Sequence, residues 1–168
     1  MKEKRYYTAG IVYDKVFHLF GGYDGSTRLK TSEVVSENGI TYDSPDLPDP
    51  DGLFLHAIAS INDTVSIITG GSSHAYNPHH EETLYFNHVT QEFIPGPNLL
   101  EGRRGHASGT ITDQETGERI VVIAGGKNSY FLDSTELLLD GEWHAGKNSH
   151  RYCYYTALNR KKQNVNRK

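Results

Sequence analysis

Cysteine is nearly absent from the 168 residues: Cys153 stands alone, so no internal disulfide framework can form. No apolar run approaches the length needed to cross a membrane, and the opening MKEKRYYTAG is charged where a secretory leader would be apolar. A lone thiol without a leader points to a reducing, cytoplasmic setting, in which the sequon Asn62-Asp63-Thr64 is a chance match. Catalytic signatures are missing too, with no G-x-S-x-G, H-E-x-x-H or C-x-x-C. Neither enzyme activity nor a cofactor is expected. Cys153 lies in a strand-like run among Tyr152, Tyr154 and Tyr155, where a small hydrophobe is its expected role.

Positive charge is scarce over most of the chain. Net charge is −4, but residues 159–168, NRKKQNVNRK, hold five cations and no acid. The remaining 12 basic and 21 acidic side chains give the body −9. An acidic body is a poor nucleic-acid binder, because phosphate contacts need clustered cations. The basic tail is expected to be a solvated end.

What the chain does have is glycine and tyrosine, 17 and 11 residues, with short β-forming runs and little helical periodicity. Three of those runs stop on paired glycines: VFHLFGG, VSIITGG and IVVIAGG place doublets at Gly21-Gly22, Gly70-Gly71 and Gly125-Gly126. The doublets are 49 and 55 residues apart, a period near fifty. Before each lies a second β-like run, separated by Asp14-Lys15, by Asn62-Asp63 and by the longer DQETGE, so each unit predicts a hairpin ending in Gly-Gly. Third strands are expected in TSEVVS, TLYFNH and STELLL, and each is followed by an aromatic: Tyr42, Phe93 or Trp143. Glycine is required where the chain leaves the second strand and a side chain would collide with a neighbouring strand.

This pattern resembles the kelch repeat, with Tyr85 matching its third-strand tyrosine, Val34 or Val35 and Leu137 or Leu138 standing in elsewhere, and Tyr42 and Phe93 replacing its tryptophan. The resemblance implies an all-β propeller segment. Four-stranded blades would span residues 6–48, 53–98 and 103–146, with the first strand of a fourth at 150–158. Propellers close with about 4–8 blades. The chain is therefore read first as a segment of a longer array, with self-association of two chains into one six-bladed ring, or an open arc, as alternatives.

Loops on a rigid scaffold are where function is expected. The loop GSSHAYNPHHEE carries His74, His79 and His80 with His88 close by, but without regular ligand spacing, so it reads as a polar recognition loop. DSPDLPDPDG lacks the glycine and terminal glutamate register of a calcium loop, and reads as a stiff, exposed linker. Arg103-Arg104-Gly105-His106 lies at the entrance to a first strand, with His56 and His150-Arg151 at comparable positions. Arginine grips a carboxylate through two parallel hydrogen bonds, which suits an acidic peptide. The resemblance implies one ligand face built from such loops, with Arg28, Arg103, Arg104, Arg151, Tyr23, Tyr76 and Tyr130 as partner-binding candidates. It also implies a protein-interaction module, as in substrate adaptors of cullin ubiquitin ligases. An enzyme fragment, a small-ligand propeller and a non-functional truncated product are the alternatives.

Overall fold

A computed structural model describes residues 1–73, 79–114 and 116–146. Local turn chemistry sets its first level. In the first unit β1 (Ala9–Tyr13) and β2 (Val16–Phe20) pair antiparallel around Asp14-Lys15, whose φ angles of 44° and 64° suit a two-residue hairpin turn. In the second, β5 (Ala57–Ser60) and β6 (Val65–Thr69) are joined by an Asx turn. There the Asn62 side-chain oxygen accepts the backbone N–H groups of Thr64 (2.9 Å) and Val65 (2.8 Å). The longer third turn, between β9 (Ala107–Thr112) and β10 (Arg119–Ala124), closes where the Asp113 N–H donates to the Glu118 carbonyl, with Gly117 at φ 75°.

Each hairpin gains two strands: β3 (Ser32–Val35) and β4 (Thr41–Ser44), β7 (Thr83–Asn87) and β8 (Glu92–Pro95), β11 (Thr135–Leu139) and β12 (Glu142–Ala145). The result is three four-stranded antiparallel sheets, each in chain order, called here sheets 1, 2 and 3. No helix occurs among the described residues, and so none long and apolar enough to cross a membrane. The all-β expectation holds. The three sheets do not close a ring.

First strands lie side by side, β5 between β1 and β9, and the Thr110 hydroxyl donates to the Ser60 carbonyl across the second junction at 2.5 Å. Strand alternation sends neighbouring side chains to opposite junctions. In β6, Ile68 packs with Phe20 and Phe86 towards sheet 1, while Ile67 packs with Ile123 and Trp143 towards sheet 3. The Trp143 indole N–H reaches the Pro97 carbonyl at 3.1 Å, satisfying its one polar atom.

The doublets work as a lock between sheets. A Cβ on Gly21 would lie 2.3 Å from the Leu53 carbonyl oxygen, and one on Gly70 would lie 2.3 Å from that of Arg103. In these two doublets the second glycine donates its N–H to that same carbonyl, Gly22 to Leu53 and Gly71 to Arg103, both at 2.8 Å. The collision expected from the sequence is thus with the backbone of the chain entering the next sheet.

Two expectations need correction. Counted from the doublets, Val35, Phe86 and Leu138 are equivalent, and Phe86 faces Phe93 while Leu138 faces Trp143. Val35 faces Thr41 instead; Tyr42 pairs with Val34, one residue out of register, and is 53 % exposed. The turn between β3 and β4 sets this slip. In addition, the linker DSPDLPDPDG is not wholly solvated: Leu47 is buried with Leu53 in the first junction.

Candidate interaction face

Antiparallel pairing brings the segment before each first strand to the same end as the loop between second and third strands. In sheet 1 this juxtaposition is direct. Tyr23 is bridged through its backbone to Tyr6 and to Arg28. The Tyr23 and Tyr6 rings meet edge to face at 5.3 Å, Tyr23 lies 5.8 Å from the Phe54 ring, and the Arg28 guanidinium sits 5.6 Å from the Phe54 centroid. Tyr7, exposed and at φ 58°, leans on Tyr6. In sheet 3, half-buried Arg104 is bridged to Lys127, the Lys127 ammonium lies 5.2 Å from the Phe131 ring centroid, and Tyr130 is 79 % exposed. Tyr6, Phe54 and Arg104 hold one repeated position, each in a backbone bridge to the residue after a doublet: Tyr23, Ser72 and Lys127.

Of the expected site residues, the structure thus gathers Tyr23 with Arg28, and Arg104 with the loop of Tyr130. Tyr76 and Arg151 lie outside the described residues, as do His74, Cys153 and the basic tail. Tyr6, Tyr7, Phe54, Lys127 and Phe131 were not anticipated.

Arg103 is a correction. It is fully buried and presents nothing to a partner. Its guanidinium donates to the Gly125 carbonyl (2.8 Å), to the Ser134 carbonyl and hydroxyl, and to Glu136 (2.6 Å). Arg5 makes the same set in sheet 1, to the Gly21 and Thr31 carbonyls and to Glu33. In each case an arginine ties the first glycine of a doublet to a third-strand glutamate. Burial raises the Glu33 pKa, but hydrogen bonds from Lys2, Arg5 and Glu3 outweigh it and leave a net lowering.

Sheet 2 replaces both members together: Leu53 and Leu84 stand at the arginine and glutamate positions, within the apolar first junction. An apolar pair can substitute for a buried ion pair, whereas removing one partner strands a charge. Arg103→Leu should therefore cost about 3–5 kcal/mol. Arg103→Leu/Glu136→Leu should recover at least ~2 kcal/mol of that, the remainder reflecting orphaned carbonyls. Urea unfolding of both variants tests this, and a double variant no more stable than the single would refute it.

The histidine loop also departs from expectation. His80 is half-buried, with its Nε2 2.6 Å from the Ser73 hydroxyl and Nδ1 3.3 Å from Glu82. His88 is buried at the first junction, stacked on Tyr13 at 4.4 Å and edge-on to His18 at 4.8 Å. Among the described residues, no three His, Cys, Asp or Glu side chains gather as a metal site. Beside Tyr130, a cavity of about 460 Å³ is lined by His79, Glu81, Glu82 and Asn128, an acidic surround. A larger cavity of about 740 Å³ lies at the opposite, hairpin-turn end, among Ser60, Ser66, Thr110 and His88.

Comparison with family models and with curated proteins found no match.

Proposed function

We propose that the three sheets are blades of a kelch-like β-propeller, and that the chain is a protein-binding module whose loop end takes an acidic segment of a partner. The doublet spacing, the four-stranded units and the side-by-side first strands support the propeller reading. One observation carries the binding: cations and aromatic rings lie together on one end, with Arg28 against half-buried Phe54 and Tyr23 on sheet 1, and Arg104 and Lys127 with exposed Phe131 and Tyr130 on sheet 3. Arginine and tyrosine are the usual anchors of interfaces, and guanidinium groups pair with carboxylates in two parallel bonds. Glu81 and Glu82 would keep an acidic ligand out of the cavity beside Tyr130.

Fluorescence anisotropy with labelled Asp/Glu-rich peptides against Lys/Arg-rich ones tests the reading. Acidic peptides are expected to bind in a salt-dependent way, and Arg28→Ala/Arg104→Ala to weaken them about tenfold or more. Equal binding of both classes, or a double variant that binds as well as the parent, would overturn it.

A further inference from the structure

We infer that the two open sheet faces complement one another, and that two copies of the chain join head to tail into a closed ring of six sheets. The inference rests on the propeller arrangement proposed above but not on any loop ligand. The molecule contains two complete examples of the junction. On the leading side of a sheet, Ile67 and Tyr85 of sheet 2 pack towards sheet 3. Counted from the doublets, the same positions in sheet 3 are Val122 and Leu137. Ile111, across from Ile120 on that side, is 51 % exposed.

The trailing side has the opposite set. Val121, Ile123 and Leu138 of sheet 3 pack towards sheet 2. Their counterparts in sheet 1 are Phe17, Leu19 and Val35. Val12, across from Phe17, is 67 % exposed. Among the described residues, apolar clusters form at the two internal junctions only.

The polar part of this trailing face is already assembled. At the second junction the Leu100 N–H donates to Glu136 Oε2 at 2.8 Å; in sheet 1 the Lys2 N–H donates to Glu33 Oε2 at 2.9 Å. Arg5 repeats Arg103 beneath it. Residues 2–5 thus follow the path taken by residues 100–103 as they arrive from a preceding sheet. One end is finished as though another sheet stood before it, while the other end presents the apolar side such a sheet would offer. Contacts of this head-to-tail kind close only if the rotation permits. Three sheets and three make six, inside the range of about 4–8 in which propellers close.

Light scattering after size exclusion on the full chain is expected to give twice the 18.8 kDa of one copy. Val12→Asp and Ile111→Asp change exposed positions on opposite ends, and near-UV circular dichroism of each checks folding. Each variant alone should be monomeric, since every contact in the ring uses both faces. Mixed in equal amounts, they should form a dimer, because one of the two junctions then joins two unaltered faces. A monomeric parent chain, an open polymer, or variants that stay monomeric when mixed would each overturn the inference. Peptide binding to the loop end by a monomer would overturn the ring while leaving the proposed function standing.

Discussion

Gly70→Ala is expected to leave the protein largely unfolded at room temperature, or to remove at least about 4 kcal/mol of a total that is typically 5–15 kcal/mol. Three costs fall on one atom. Gly70 has φ 56°, a left-handed conformation that costs an alanine about 1–2 kcal/mol. The new Cβ would lie 2.3 Å from the Arg103 carbonyl oxygen and 2.9 Å from His106 Cε1. Neither can step aside cheaply. That carbonyl accepts the Gly71 N–H, the Arg103 side chain is bonded into sheet 3, and the His106 ring faces the Thr69 hydroxyl at 2.8 Å. Relief therefore means parting sheets 2 and 3, which adds overpacking of about 1–3 kcal/mol and the loss of a buried hydrogen bond. Gly117→Ala is the control, for Gly117 has φ 75° but nothing within 4 Å of its added Cβ. It should lose only the conformational part, about 1–2 kcal/mol. Thermal and urea unfolding of the pair measures the difference, and equal stabilities would refute the lock.

That lock was legible because it is local: a β-run, two glycines and a repeat distance contain it. The hairpins were legible for the same reason, since Asp14-Lys15 and Asn62-Asp63 stop a strand by chemistry confined to a few residues. What the sequence hid depends on distant partners. Arg103 and Arg104 are adjacent and identical in type, yet one is buried on Glu136 and two carbonyls while the other reaches the loop end. Only the paired replacement of Arg5 and Glu33 by Leu53 and Leu84 marks the difference, and it requires aligning the units through residues about 30 positions apart. Leu47 was misjudged because its prolines and aspartates describe the linker's solvent side alone. Tyr6 and Phe54 escaped notice for want of a motif of their own. Their signal is register, since each lies three residues before its first strand, as Arg104 does in the third unit.

Acid should unfold the protein well above the carboxylate range, and buried histidines set where. His56 and His106, equivalent residues just before β5 and β9, are both buried. Burial pushes His56 down to about 4, and the nearby Phe20 backbone opposes it only partly. Burial likewise pushes His106 down to about 3, aided by the charges of Arg103 and His56 beside it. At the first junction, His88 falls to about 4 through burial and His18, and His18 is itself lowered by burial. In every case the folded protein resists the charged form, so the unfolded chain binds more protons between the folded values and an ordinary histidine value near 6.5. Stability is thus complete above about pH 6.5 and declines as pH falls, by ~1.4 kcal/mol per pH unit for each fully buried histidine. At pH 5, His56 and His106 alone would remove about 4 kcal/mol, comparable to the whole stability of a modest domain. The charged His106 ring would sit against Gly70, where its Cε1 lies 2.9 Å from the place an added Cβ would take, so sheets 2 and 3 should separate along that lock. Urea unfolding from pH 7.5 to 5 is expected to show this slope. His106→Gln should lower stability at pH 7.5, yet flatten the slope by about one proton's worth, ~1.4 kcal/mol per unit. A stability unchanged between pH 7.5 and 5, or a slope that survives the substitution intact, would show that these imidazoles are not what ties the fold to neutral pH.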